Sequence, residues 1–505
     1  MRATGAGKKG IHYGILWSKG GGAVVTTEAE INARADRLED ADMNALGKTL
    51  HGIGLRLDRL PIGGWHWKLL WLVGGAMFLD NLDMYIGGGL IASLLADGWS
   101  TVELNSWFQT ITMSGYLIGA LISGVVGDHL GRKKALLLFI AIFIGATFLA
   151  GFSPSMQVLI CCRGLMGIGL GAFIPCGYGP FGEYIPPQKR SKYSGYIGLI
   201  ANFSPPLGAA LTMIIIPAFG WRVIFFAISI LGCFIWLMIF KFMPESPRWL
   251  ASKGRFDEAD AIVSAAEKSF TDKGVVLPEI TQEQVDKLKE ELEKEPVQLP
   301  YSALFTKRMI KRTITASAAL MAMNLIVYTI TTWTPTIFVM RGMDTQYSIF
   351  ITFVMLMGAP FGIFLLSMFG NKHPRKAGMI VCLLLLAVAG YVWSLQTDVT
   401  VIMASGFVMC TITYYYSLLA CSVYLGEAFP TEIRLRGSGF SNAMGRIASI
   451  STPTIVAFFL QSSGVVSVYV FVGICMVVFA IIIGICGTET RNKSLEEIND
   501  EVVTK

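Results

Sequence analysis

Apolar runs of about 20 residues, separated by short polar clusters, recur along this chain from residue 68 to residue 486. A helix rises about 1.5 Å per residue, so a run of that length crosses the ~30 Å hydrocarbon core of a bilayer. Twelve such spans are predicted, near 68–93, 105–127, 134–151, 156–180, 193–217, 221–243, 311–339, 345–370, 376–396, 400–428, 437–460 and 464–486. The pattern predicts an all-α membrane protein with twelve transmembrane helices. A polar tail (1–67) precedes them, a polar segment (244–310) interrupts them after the sixth, and a second tail (487–505) follows. Within the central segment, "SKGRFDEADAIVSAAEKSF" and "ITQEQVDKLKEELEKE" read as amphipathic surface helices with charges spaced for i,i+4 pairing. In the first tail, 28–50 reads as a short soluble helix and 1–25 as a stretch without fixed structure. No secretory leader is expected, since no apolar segment there is followed by a small-residue cleavage site.

Composition agrees with immersion in lipid: of 505 residues 53% are hydrophobic and 15% charged, a balance that argues against a string of soluble domains. Charge then sets orientation. Arg132, Lys133, Lys134, Lys189, Arg190, Lys192, Lys372, Arg375, Lys376, Arg434 and Arg436 fall in loops 2–3, 4–5, 8–9 and 10–11. Loops of the opposite parity carry only Arg222 and Arg341. Lys and Arg stay on the cytoplasmic side, so both termini and the central segment are expected there, in a plasma membrane. The net charge of +6 is thereby a topology signal, and no nucleic-acid partner is implied. The nine cysteines all fall within the spans and show no metal or disulfide spacing. "GKT" at 47–49 lacks the glycine that a phosphate loop needs five residues before its Gly47; Asp42 sits there. With no nucleotide site, no metal cluster and no nucleophile–base pair, the expectation is a gradient-driven carrier without a cofactor, not an enzyme.

An internal repeat lies in the polar loops. "EYIPPQKRSKYSGY" (183–196) aligns with "EAFPTEIRLRGSGF" (427–440) without a gap, at an offset of 244. Glu183 meets Glu427, Arg190 meets Arg434, and Gly195 meets Gly439. Upstream, "GDHLGRKK" (127–134) meets "GNKHPRKA" (370–377) at an offset of 243. Two matches at nearly one offset in corresponding loops imply that a six-span half was duplicated. Parallel six-span repeats joined by a cytosolic linker are an arrangement of major facilitator transporters, whose substrate sites lie near the midplane between halves.

These residues also carry a family resemblance. "GVVGDHLGRKK" (124–134) resembles the loop 2–3 signature of the major facilitator superfamily. "PESPRWLASKGR" (244–255) and "TETRNKSLEEI" (488–498) look like the ends of the two halves in sugar-porter-like members. "RLPIGGWHWKLL" leading into "FLDNLDMYIGG" is similar to the metabolite:proton and aromatic-acid:proton symporter branches. The resemblance implies the major facilitator fold of two pseudo-symmetric six-helix bundles, and proton-coupled uptake. Departures exist. His129 follows Asp128 where a basic residue is usual, and Asn371 and Pro374 replace the acid and the glycine in the second copy of the loop. Span 7 lacks the Gln-Gln pair of true sugar porters, and span 10 their Pro-x-x-Trp pattern, which lowers the expectation of a hexose substrate.

Asp80 and Asp83 sit deep in span 1, where an ionised group is costly and must pair or line water. Counting from Lys68, they lie about 18 and 22 Å from the cytosol; Arg163, on antiparallel span 4, comes to about 20 Å. Their i,i+3 spacing puts both acids on one face. All five histidines lie in tails or loops, so an interior proton carrier has to be a carboxylate. By resemblance, Asp83 matches the coupling acid of proton-linked sugar porters, and the Asp80/Asp83 pair matches the aromatic-acid branch; a static Asp–Arg pin is the plainer alternative. Arg446 in span 11 has no acid of the second half at its height, which makes a substrate carboxylate its expected partner; anchoring by Glu427 or Glu183 is the rival. Asn324, Tyr328 and Trp333 in span 7 and Tyr414, Tyr415 and Tyr416 in span 10 are candidate pocket residues, or plain helix-contact aromatics. By resemblance, Asp128, Arg132, Glu183, Arg190, Arg375, Glu427 and Arg434 form a cytoplasmic gate. The expected function is uptake of a small organic metabolite, an organic or aromatic acid, with protons, by a monomer in the bilayer. Sugar or polyol symport is the alternative; a drug exporter and a non-transporting sensor rank behind.

Overall fold

The structure, a computed structural model, describes residues 13–17, 23–27, 50–278, 301–307, 309–369, 373–429 and 433–489. The soluble helices expected over 28–50 and 280–295, and most of the half-end motif at 488–498, lie outside these residues.

Among the described residues, eleven helices are long and apolar enough to cross a membrane: Gly64–Ala96, Val102–Leu130, Arg132–Ala150, Met156–Tyr184, Lys192–Phe219, Trp221–Phe242, Ile310–Met340, Thr345–Phe369, Arg375–Ser394, Val399–Ala428 and Arg436–Cys486. The last is two spans in one. At about 1.5 Å per residue its 51 residues would make a rod far longer than any bilayer. Gly464 breaks it with φ 78° and ψ −173°, backbone that only glycine adopts without strain. The Ser467 hydroxyl ties that turn by donating to the Gly464 and Phe459 carbonyls (2.7 and 3.0 Å). Spans 11 and 12 therefore run over 436–463 and 465–486, and the count is the twelve expected.

Two chain segments, Met1–Gly63 with Ser246–Glu295, and Gly64–Glu245 with Pro296–Lys505, form separate compact units. In the larger unit the duplication is visible as geometry. Span 1 lies against 5, 2 against 4, and 3 against 6; six spans on, 7 lies against 11, 8 against 10, and 9 against 12. The bundles meet through spans 2 and 11, 8 and 5, and 1 and 7, a set that maps onto itself when the halves are exchanged. Glycines set the closest approaches. Gly115 and Gly119 of span 2 lie against the Gly164 and Ile168 carbonyls of span 4, and Gly358 and Gly362 of span 8 against the Phe407 and Thr411 carbonyls of span 10. Each of these positions recurs 243 residues later, and none tolerates a Cβ without displacing backbone.

Three spans contain a single π-helical turn: Ile174–Tyr178 in span 4, Thr329–Trp333 in span 7 and Leu419–Tyr424 in span 10. The first and third occupy corresponding places in the two halves. Such turns redirect a helix face and are common at functional sites.

The smaller unit contains helices α1 (Leu50–Asp58), α2 (Pro247–Ser252) and α3 (Phe256–Thr271). Val263, Ala266 and Phe270 of α3 and Ile53 and Leu57 of α1 are buried. Ion pairs frame this small core: Arg56 with Asp260 and Glu267, Arg59 with Glu267 (2.6 Å), and Arg248 with Asp58 (2.6 Å). Burial raises the Glu267 carboxyl, but bonds from Arg56 and Arg59 outweigh that and hold it below the usual range. Near the N-terminus the expectation of an unstructured stretch is corrected. Tyr13–Trp17 and Ala23–Thr27 pair antiparallel as β1 and β2, with Ile15 opposite Val25. Both strands are rich in β-branched or aromatic residues.

Candidate functional site

Span 1 brings its two acids to different partners. Asp83 is 1% exposed, and Arg163 Nη1 donates to its Oδ2 at 2.8 Å. The same guanidinium donates from Nε to the Thr112 hydroxyl (3.2 Å) and lies over the Phe108 ring, 4.8 Å from its centroid. Spans 1, 2 and 4 are thus joined through one buried cation, with span 4's glycines permitting the approach. Asp80, three residues earlier, does not share Arg163. Its Oδ2 accepts from the Tyr116 hydroxyl of span 2 at 3.2 Å, while Oδ1 has no hydrogen-bond partner.

Arg446 of span 11 comes to the same region from the other bundle. Its guanidinium stacks on Tyr116, 4.1 Å from the ring centroid, and Nη1 donates to the Tyr328 hydroxyl at 3.5 Å. It lines the same cavity as Asp80. Arg446 is held by neither Glu427 nor Glu183; its described contacts are aromatic. Between these groups lies a cavity of about 110 Å³, lined by Asp80, Asn81, Met84 and Tyr85 of span 1, Tyr116 of span 2, Ile174 of span 4, Val327, Tyr328 and Thr331 of span 7, and Arg446. Two of the π-helical turns supply wall residues, Ile174 and Thr331. At one edge the Tyr414 hydroxyl of span 10 donates to that of Tyr85 at 2.8 Å, a bond between the bundles.

The structure therefore brings together Asp80, Tyr328 and Arg446 among the sequence candidates, with Asp83 and Arg163 directly behind them. Asn324 stands apart: it donates to the Leu320 carbonyl (2.8 Å), and its amide touches Gly445. Trp333 is fully buried in the second bundle's apolar core, and Tyr415 is packed against that core. Tyr416 donates to the Ala319 carbonyl (2.9 Å) away from the cavity. Residues that the sequence reading did not single out are Asn81, Met84, Tyr85 and Tyr116. The first three follow Asp80 by one, four and five positions, the signature of one helix face.

On the linker side the gate candidates form two copies of one arrangement. Arg132 Nη1 bonds Asp128 (2.7 Å) and its Nε lies 3.7 Å from Glu183; in the second half Arg375 Nε lies 3.5 Å from Glu427. Arg190 donates to the Ile185 carbonyl (3.5 Å), and Arg434 to the Phe429 carbonyl (3.2 Å), both five residues back. A further pair had gone unread. Glu245 accepts the Lys133 N–H (2.9 Å) at the start of span 3. Glu489 accepts the Arg375 and Lys376 N–H groups (2.7 and 3.1 Å) at the start of span 9. Each carboxylate caps a helix N-terminus, where the unpaired N–H groups and the dipole favour negative charge. The shared "PES" and "TET" contexts, 244 residues apart, were the signal that could have found them.

Comparison with known proteins agrees with this construction. The family model for sugar (and other) transporters matches residues 85–502. The chain is 39% identical over 450 residues to the inner membrane metabolite transport protein YdjE of Escherichia coli, covering 89% of this chain and 98% of that protein. It is 27% identical to the niacin transporter NiaP of Acinetobacter baylyi, over 88% of this chain and 98% of that one. Among solved structures, the partially occluded inward-open xylose transporter XylE of Escherichia coli superposes with a TM-score of 0.68 at 17% identity, covering 86% of this chain and all of that one. Twelve spans in two repeated bundles around a central cavity, matched over most of their length, place the chain in the sugar (and other) transporter family of the major facilitator superfamily, as a multi-pass membrane transporter.

Proposed function

We propose that the chain is a proton-coupled carrier that takes up a small carboxylic acid, aromatic by preference, by alternating access. Arg446 is the observation that carries this reading. A guanidinium in a cavity wall needs an anion, and this one is stacked on Tyr116 and bonded to Tyr328 without a carboxylate in contact. A substrate carboxylate would complete it bidentately, and the rings of Tyr85, Tyr116 and Tyr328 favour an aromatic body. That one relative is named a niacin transporter supports the reading, since niacin is itself an aromatic carboxylic acid.

Proton coupling is assigned to Asp83. Its carboxylate is matched to Arg163 in this state; a state in which the two separate would leave a buried carboxylate that takes up a proton. The basic loops support termini on the cytosolic side. Cross-bundle bonds such as those from the Thr110 hydroxyl to Ile450 and Thr454 then lie toward the outer face, which makes this an inward-facing state. One chain lines the whole cavity, which supports a monomer as the working unit.

Sugar or polyol symport is the second reading, favoured by the tyrosine hydroxyls, Asn81 and Thr331 in the wall and by the xylose transporter's fold. Proteoliposomes separate the two. Adding aromatic acids, aliphatic acids, pentoses and polyols in turn should alkalinise the outer medium for acids alone, and Arg446→Gln should abolish that response. Alkalinisation by sugars, or an unchanged Arg446→Gln response, would refute the acid reading.

A further inference from the structure

The cavity has two poles. Arg446 supplies a positive one, and Asp80, on the opposite bundle, a negative one; both line the same space, yet no ion pair joins them. Tyr116 donates to Oδ2, while Tyr85 accepts from Tyr414 and Tyr328 accepts from Arg446, and neither of these hydroxyls bonds Oδ1. Oδ1 has no hydrogen-bond partner, although Asp80 is only 5% exposed. A buried carboxylate oxygen without a donor is costly, and a bound water is its natural resting partner. A ligand that displaces such a water without replacing its hydrogen bond loses affinity.

We propose that Asp80 is a specificity-determining residue that reads a hydrogen-bond donor, a hydroxyl, an amine or a protonated ring nitrogen, placed across a small ring from the carboxylate bound by Arg446. The substrate class is thereby narrowed from aromatic acids to those with a second, donating pole. This rests on the acid reading above and deepens it. Because Asp80 belongs to the first bundle and Arg446 to the second, a two-pole substrate also bridges the halves that rock against each other. Benzoate would fill the ring space and satisfy Arg446, but would leave Oδ1 dry and set a carboxylate across the cavity from another.

Matched ligands test this on the purified full chain in lipid nanodiscs, by equilibrium binding of benzoate, 3- and 4-hydroxybenzoate, 4-aminobenzoate and nicotinate. A hydrogen bond to a charged group contributes roughly 1.5–3 kcal/mol, so at least one donor-bearing acid should bind about tenfold or more tighter than benzoate. Asp80→Ala should erase that preference and leave benzoate binding equal or tighter, a sign that damage to the fold cannot mimic. Asp80→Asn, which keeps the volume and one acceptor, should shrink the preference to about threefold. Equal affinities in the wild type, or a preference that survives Asp80→Ala, would overturn the role of Asp80 while leaving the acid reading intact. Failure of the wild type to bind any of the five acids would refute the acid reading itself, and this inference with it.

Discussion

Asp83→Asn probes the most deeply buried charge pair. In the wild type, Asp83 and Arg163 are in contact at 2.8 Å with side chains 1% and 2% exposed. The substitution keeps the shape of the side chain but leaves the guanidinium without a counter-charge. What remains to Arg163 is neutral hydrogen bonding, to Thr112 and to the amide oxygen that the substitution keeps, and the face of Phe108, worth about 1 kcal/mol each. Nη2 has no hydrogen-bond partner even in the wild type, so nothing is in reserve. Uncompensated, a buried charge of this kind costs roughly 3–5 kcal/mol, whereas replacing both partners by apolar groups of similar volume is close to neutral. Asp83→Asn and Arg163→Met alone should therefore melt well below the wild type, and Asp83→Leu combined with Arg163→Met should recover most of the loss.

Function should separate from stability in the same set. If Asp83 carries the proton, Asp83→Asn loses accumulation against a gradient but keeps counterflow exchange, and the stable double variant loses accumulation as well. Thermal unfolding of the purified chain and paired uptake and counterflow in proteoliposomes measure both. An Asp83→Asn chain that melts like the wild type and still accumulates substrate would refute the energetic argument and the coupling assignment together. A double variant as unstable as either single would show that the pair is not the energetic unit.

Three further outcomes are expected. Glu245→Ala and Glu489→Ala each remove a helix cap and should lower stability by about 1 kcal/mol in denaturant unfolding. Gly88→Ala places a methyl on the Thr331 carbonyl at the contact of spans 1 and 7; it should speed alkylation of a cysteine introduced at Thr332, whereas Gly75→Ala, with open space around it, should not. In the smaller unit the depressed Glu267 carboxyl contributes stability that is fully present above the ordinary glutamate value, near 4.3, and is lost as pH falls through the lower folded value. Protection of the α1 and α3 amides, taken relative to their intrinsic exchange rates, should therefore be level from pH 7 to 5 and fall only below that range, and Glu267→Gln should flatten the acid limb.

The spans and the repeat were legible because they depend on length, composition and spacing alone. Depth was legible too: counting residues at the helical rise put Asp83 and Arg163 at one height, and they are in contact. Rotation was not. In a soluble helix the apolar stripe points to the core, but in a bilayer lipid is as apolar as the core, so sequence gives little sign of which face looks inward. Tyr328 and Tyr416 read alike, yet one lines the cavity and the other donates to Ala319 deep in its own bundle. Trp333 likewise carries the right chemistry but is buried in its own bundle's core, and Asn324, one turn before Tyr328 on the same face, gives its amide to the Leu320 carbonyl. Arg446 was recognisable as a cation in need of an anion, but its aromatic bed comes from Tyr116 on the other bundle, a neighbour that no local pattern predicts.

The two copies of the half also divide the chain's work between them. Structural and gating positions recur after 243 or 244 residues: Gly115 and Gly358, Gly119 and Gly362, Arg132 and Arg375, Glu183 and Glu427, Glu245 and Glu489. In and beside the cavity two neutral polar pairs recur as well, Asn81 with Asn324 and Tyr85 with Tyr328, but the repeat fails at the charged residues and their partners. At an offset of 243, Asp80 corresponds to Met323, Asp83 to Ile326, Tyr116 to Ala359 and Arg163 to Gly406; Arg446 looks back to Phe203. Rocking needs both halves to present matching contacts in either state, so its parts persist in duplicate. Chemistry needs the opposite. On the proposed reading the first bundle satisfies Asp83 by itself, through Arg163, whereas Arg446 of the second bundle has aromatic contacts and no carboxylate in contact. A bound carboxylate would supply the missing charge at the seam between the halves, and motion would be coupled to occupancy there.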